Sequence, residues 1–108
     1  MKIVEDDLLV RIFLSEHTKH NGKPLYEVIV SEARKMNIAG ATVLRGLMGF
    51  GADKRLHSLK LVDISDNLPV VIELVDKEEN LQPFFEFLDN VVKDGFITIE
   101  KVHVVKYR

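Results

Sequence analysis

The chain has no cysteine, which excludes disulfide cross-links and thiolate chemistry and fits a reducing compartment. No apolar run approaches the ~20 residues that a membrane-spanning helix needs, and the N-terminal MKIVEDD has no signal-peptide hydrophobic region. Neither sign of charge is in excess. Fifteen Lys and Arg against seventeen Asp and Glu leave a formal charge of −2, so no overall field draws nucleic acid or an anionic membrane, and an anion site has to be local. Nucleophile elbows and glycine-rich Walker loops with their Lys-Ser/Thr pair are missing as well. The acidic residues Asp6, Asp7, Asp63, Asp66, Glu78 and Glu79 stand at loop and capping positions that nothing converges on one site, which leaves acid/base catalysis by paired carboxylates without support. These absences lead to the expectation of a cytoplasmic, non-enzymatic protein, with residues 1–108 as one domain.

What is present is a regular order of apolar patterns. Leu8, Val10, Ile12 and Leu14 alternate as in a strand buried mainly on one face. Ser15–Lys23 is polar and carries the turn signal Asn21-Gly22. Pro24 is preset for a helix start, and Leu25, Val28, Ile29, Ala33 and Met36 recur at helical spacing, with Asn37 or Gly40 able to end the helix. Thr42, Val43 and Leu44 read as a second strand. Ala52–Asn67 is long and polar, with a weak strand-like centre at Leu59, Leu61 and Ile64. Pro69–Val75 is a third strand. Asp76 and Glu79 form a capping pattern ahead of a helical face of Leu81, Phe84, Phe85, Leu88, Val91 and Val92. Pro83 then requires either a helix start near Asn80 or a kink. Gly95 ends that helix, and Phe96–Tyr107 is a final strand whose alternation shifts near Lys101–Val102, as a bulge would make it.

The order is βαββαβ with a long loop between strands 2 and 3. Two right-handed crossovers in tandem give an α+β ferredoxin-like sandwich, with both helices on one face of an antiparallel sheet. Phe13, Val71 and the Val and Leu residues of the second strand cannot all face the helices. The open face is therefore apolar, and oligomerisation is the usual way to cover it.

The segment Ala39–Gly51, AGATVLRGLMGFG, is where the chain goes beyond a reusable fold. Three glycines, at 46, 49 and 51, follow Arg45. Glycine loses more backbone entropy on folding than any other residue, so such density needs turns, bulges or a close approach of backbone to a ligand. Arg45 beside them favours an anion such as a phosphate. Bulge or hairpin glycines, with Arg45 paired to a surface carboxylate, remain the alternative. An RNA-binding reading of the same stretch lacks a second exposed aromatic to partner Phe50 and a basic face.

Pro24-Leu25-Tyr26-Glu27, Ala39–Gly51 and Leu68–Glu73, taken with the element order, resemble the PII-like proteins, and among them a small family of uncharacterised bacterial and archaeal PII-like domains. The resemblance covers nearly the whole chain. It implies a homotrimer that binds an adenine nucleotide (ADP, ATP or AMP, with Mg²⁺ as an accompanying ion and no required cofactor) in clefts between subunits. A long loop would report occupancy to a protein target such as a transporter, channel or enzyme, with no nucleic acid bound and no insertion into a membrane. By position it implies Thr42 on the strand entering the cleft, Arg45, Gly46, Gly49, Phe50 and Gly51 at the loop base, and Asp94-Gly95 at the turn before the last strand. Loop 52–68, including His57, matches the readout loop, and Lys106 and Arg108 are loose counterparts of a C-terminal basic pair that reaches a neighbour's nucleotide. Two departures stand out: Phe96 occupies a position where classical PII proteins have lysine, and the loop lacks their tyrosine modification site. The competing class is a ferredoxin-like oligomer that binds a divalent metal or small metabolite, or a structural partner subunit. In that class His17 and His20, three residues apart, would lead, although two ligands fall short of a site.

Overall fold

A computed structural model of the chain describes residues 1–59 and 67–108. The main elements are β1 (Lys2–Ser15), α1 (Leu25–Lys35), β2 (Gly40–Arg45), β3 (Pro69–Asp76), α2 (Glu78–Val91) and β4 (Phe96–Tyr107). The sheet order is β2-β3-β1-β4 with every pairing antiparallel. This is the expected α+β ferredoxin-like arrangement. Two short two-residue pairs, Lys19–His20 with Lys23–Pro24 and Met48–Gly49 with His57–Ser58, flank it. The first closes over Asn21 (φ 51°) and Gly22 (φ 80°), the left-handed conformations that an Asn-Gly hairpin turn demands.

One face of the sheet carries the core. Val10, Ile12 and Leu14 of β1 lie opposite Leu74, Ile72 and Val70 of β3, and all are buried against Leu25, Ile29 and Ala33 of α1 and Leu81, Phe84 and Leu88 of α2. Each of the Val, Leu, Ile and Phe side chains contributes about 1.5–3 kcal/mol by leaving water. Tyr26 packs at the core margin, half-buried. α1 ends as its sequence suggests, with Asn37 at φ 62°.

Three local expectations are corrected. β4 has no bulge: its pairing with β1 runs unbroken from Phe13↔Phe96 to Lys2↔Tyr107. The apolar residues change faces instead, with Ile97 and Ile99 opposite Ile12 and Val10 on the helix side, and Val102 and Val104 opposite Asp7 and Glu5 on the other. A change of face and an inserted residue leave the same mark in the alternation. Asp76 does not cap through the D-x-x-E pattern, because Lys77 is the N-cap and makes no side-chain cap bond. The Asp76 carboxylate instead accepts from the Lys77 N–H, the Asn80 amide and the Ala39 N–H across the sheet end. α2 begins at Glu78 and not near Asn80, which leaves Pro83 inside the helix, where its missing N–H leaves the Glu79 carbonyl without that i→i−4 donor. The strand-like centre expected at Leu59, Leu61 and Ile64 lies, from Leu61 onward, outside the described residues, as do Asp63 and Asp66.

The second face of the sheet is open. Phe13 stacks on Phe96 with ring centroids 4.6 Å apart, Phe96 remains 59% exposed and Leu44 50%, and Val71 lies between Phe13 and Leu44 in the register. Beside this apolar patch, Arg11 is held between Glu73 (Nε–Oε2 2.8 Å) and Glu100 (Nη1–Oε1 2.5 Å), and the Glu73 hydrogen bond does most to hold its guanidinium charged.

Candidate functional site

The antiparallel register gathers several of the singled-out residues at one end of the sheet. β1 ends at Ser15, opposite Pro69; β2 ends at Arg45, opposite Val70; β4 begins at Phe96, opposite Phe13, so the Asp94-Gly95 turn lies at this end too. The long loop leaves from Arg45 and returns through Leu68 beside Glu16, whose N–H donates to the Leu68 carbonyl at 2.8 Å. The neighbouring His17 N–H donates to Asn67 Oδ1 at 2.7 Å.

Arg45 is 54% exposed and makes a two-pronged ion pair with Glu16, Nε–Oε2 at 2.6 Å and Nη2–Oε1 at 3.1 Å. The alternative in which Arg45 meets a carboxylate is thus realised within the chain. Sequence reasoning missed Glu16. It stands in a polar stretch with no local signal, and only the pairing of Ser15 with Pro69 and of Arg45 with Val70 reveals that it faces the arginine.

The three glycines separate into two kinds. A Cβ on Gly46 would stand 2.8 Å from Pro69 Cγ, and one on Gly49 would stand 3.1 Å from the same atom. These two are glycines because β2 and the hairpin pack on the Pro69 ring. The Gly46 N–H is also committed, donating to the Pro69 carbonyl at 2.7 Å, so it is not one of the donors expected for a phosphate. Gly51 differs, since a Cβ there would meet nothing within 4 Å among the described residues. Packing against the described residues gives no reason for that glycine. His57 lies directly opposite Gly49 in the short hairpin. Phe50 is 64% exposed with Lys54 Nζ 5.3 Å from its ring centroid. Thr42 faces the open side opposite Glu73, and Asp94 is exposed. Gly95, at φ 130°, has a structural reason of its own.

Lys106 and Arg108 are not brought to this end. Lys106 pairs with Ile3 near the start of β1, and the length of the intervening strand puts it roughly 40 Å from Arg45. There its Nζ sits 3.1 Å from Glu5 Oε1. Glu5 Oε2 and both Asp7 carboxylate oxygens are buried nearby with no hydrogen-bond partner among the described residues. Burial pushes the Asp7 carboxyl above the usual carboxylate range, with Glu5 adding to the rise, while the neighbouring Asp7 and then Lys106 hold Glu5 low. The Arg108 N–H donates to the Met1 carbonyl at 2.8 Å. Of the remaining histidines, His17 Nε2 lies 3.9 Å from Glu16, and His20 Nε2 is 3.5 Å from the Asn21 amide. Among the described residues no three His, Cys, Asp or Glu side chains come together as a metal site, and no helix is long and apolar enough to cross a membrane.

Comparison with known proteins gives the family of the chain. The model of the DUF190 family (Uncharacterized ACR) matches residues 7–104. The chain belongs to the DUF190 family. A UPF0166 protein of Aquifex aeolicus is 38% identical over 105 residues, 97% of this chain and 98% of its own length. Another from Methanocaldococcus jannaschii is 36% identical over 99 residues, 91% of each chain. Among solved structures, CPII of Thiomonas intermedia K12, bound to ADP and bicarbonate, superposes with a TM-score of 0.67 at 16% identity, covering 94% of this chain and 91% of its own. The GlnK–ATP complex of B. subtilis gives a TM-score of 0.56 at 16% identity, covering 90% and 82%. At these identities the likeness is one of fold, and that fold is PII-like.

Proposed function

We propose that this DUF190 protein, as one PII-like domain over residues 1–108, is a cytoplasmic, non-catalytic regulator that binds an adenine nucleotide at clefts between the subunits of a homotrimer. The observation that carries the reading is the grouping at one sheet end of Arg45, the Gly49–Gly51 hairpin with His57 and Phe50, and the Asp94-Gly95 turn. The nucleotide-bound state of a PII-like neighbour in fold supports it. Arg45 meets the phosphates, backbone around Gly51 approaches them closely, and Gly46 and Gly49 shape the turn. Thr42 lies on the strand leading into the cleft. Mg²⁺ accompanies the phosphates where their charge requires it. Lys106 and Arg108, about 40 Å away along the same chain, reach the nucleotide only from a neighbouring subunit. The apolar open face is what the three subunits bury against one another. Loop 52–68, of which residues 60–66 lie outside the described residues, presents occupancy to a protein target, whether transporter, channel or enzyme; such a readout requires that the nucleotide bind two states of the protein with different affinity.

Thermal unfolding in the presence of ADP, ATP, AMP and divalent metals tests this. ADP at 100 times its Kd adds about 2.7 kcal/mol of stability by mass action. The expected result is a rise in Tm with ADP that disappears in Arg45→Ala, while the ligand-free stability changes by no more than an exposed ion pair is worth, about 1 kcal/mol or less. A rise with a divalent metal but none with any nucleotide would instead favour the metal-binding class.

A further inference from the structure

Within the nucleotide reading, the geometry assigns Glu16 a role that no family resemblance supplies: we propose that its carboxylate occupies the phosphate position at Arg45 in the empty protein and sets the charge a ligand must carry. The contact is two-pronged, Nε–Oε2 2.6 Å and Nη2–Oε1 3.1 Å, which is the fork geometry by which a guanidinium holds a phosphate. Glu16 is also a fixed competitor. Its side chain is only 20% exposed, its N–H is bonded to the Leu68 carbonyl, and the Thr18 N–H closes a turn onto Ser15 beside it. Arg45, at 54% exposed, is the open side of the pair.

A ligand must therefore displace a tethered monoanion. A phosphodiester such as a cyclic nucleotide carries one negative charge. It trades like for like and loses to the carboxylate already in place. A terminal phosphate carries close to two charges at neutral pH and gains from the exchange. Glu16 thus selects for ligands ending in a dianionic phosphate, the nucleoside mono-, di- and triphosphates, and against cyclic nucleotides and nucleosides. Its backbone bond to Leu68 places the displaced residue where the loop returns to β3, so that exchange at Arg45 is felt at the loop's second root.

Isothermal titration of the full-length protein with ADP and with 3′,5′-cyclic AMP, in the wild type and in Glu16→Gln, tests the assignment. The wild type is expected to bind ADP and not cyclic AMP. Glu16→Gln is expected to bind ADP about fivefold more tightly, the factor that an exposed ion pair of ordinary strength contributes, and to acquire measurable cyclic AMP binding. If ADP binds the wild type and Glu16→Gln has the same ADP affinity and the same preference over cyclic AMP, the role of Glu16 is overturned while the nucleotide reading stands. If neither protein binds ADP, the nucleotide reading itself fails and this assignment falls with it. Melting curves of both proteins confirm that the variant is folded.

Discussion

Gly95→Ala is expected to cost about 3 kcal/mol or more of folding stability, a fall in Tm on the order of 15 °C for a domain of this size. Gly95 has φ 130°, and a Cβ built there would stand 2.4 Å from the Phe13 carbonyl oxygen and 3.1 Å from Leu14 Cδ2. The first of these atoms is backbone in the central strand of the sheet, so a rotamer change cannot relieve the clash. The turn carries the chain from α2 into β4, whose first pair, Phe96 with Phe13, stacks on the open face. Displacing it therefore disturbs both the sheet edge and the surface assigned to oligomerisation. Gly51→Ala is the control. Among the described residues it has no neighbour within 4 Å of its Cβ, and it has no positive φ, so its effect on stability should be within about 0.5 kcal/mol. Differential scanning calorimetry of the two variants separates them, and equal melting points for both would refute the steric argument.

The second large effect is expected at Asp76. This carboxylate is 4% exposed and joins three segments through the Ala39 N–H at 2.9 Å, the Lys77 N–H at 2.7 Å and the Asn80 amide at 3.0 Å. Burial alone would raise its pKa, but the hydrogen bonds from Asn80, Lys77 and Ala39 outweigh it and hold the carboxyl below its ordinary value. A carboxyl whose folded pKa is depressed contributes stability above its unfolded pKa and loses it as the pH falls through the folded value. Asp76→Ala should cost about 3 kcal/mol at pH 7, because three donors lose a charged acceptor. The difference from the wild type should shrink in acid, below the ordinary aspartate pKa of about 3.9. Urea unfolding of both proteins at pH 7 and near pH 3 measures this. A difference that stays constant with pH would mean that the ionised carboxylate is not the stabilising species.

Much of the fold was legible because the core is one-sided. The helix-facing residues of β1 and β3 alternate cleanly, and α1 and α2 carry their apolar stripes at helical spacing. The first six residues of β1 were not legible. Glu5, Asp6 and Asp7 interrupt the apolar alternation, and the side chains that Glu5 and Asp6 meet, Lys106 and His103, lie across the ribbon. Cross-strand partners become visible only once the register is known. The same limit explains Glu16. Arg45 announced itself beside the glycines, but its counter-ion stands 29 residues earlier in sequence, in a segment with no periodicity. The glycines were legible as unusual, but not as two kinds: Pro69, the atom-level reason for Gly46 and Gly49, looked from the sequence like nothing more than the first residue of a strand.

The length of β1 separates Lys106 and Arg108 from Arg45, so the proposed nucleotide site requires assembly. In that proposal one chain carries half of each site, and the open face with Phe13, Phe96 and Leu44 is the surface through which the halves would meet. Native mass spectrometry of the full-length protein, with and without ADP, reads both properties in a single measurement. The expected result is a species of three chains that gains the mass of bound ADP, up to one per chain. Single chains that hold ADP, or a trimer that takes up no adenine nucleotide, would contradict it.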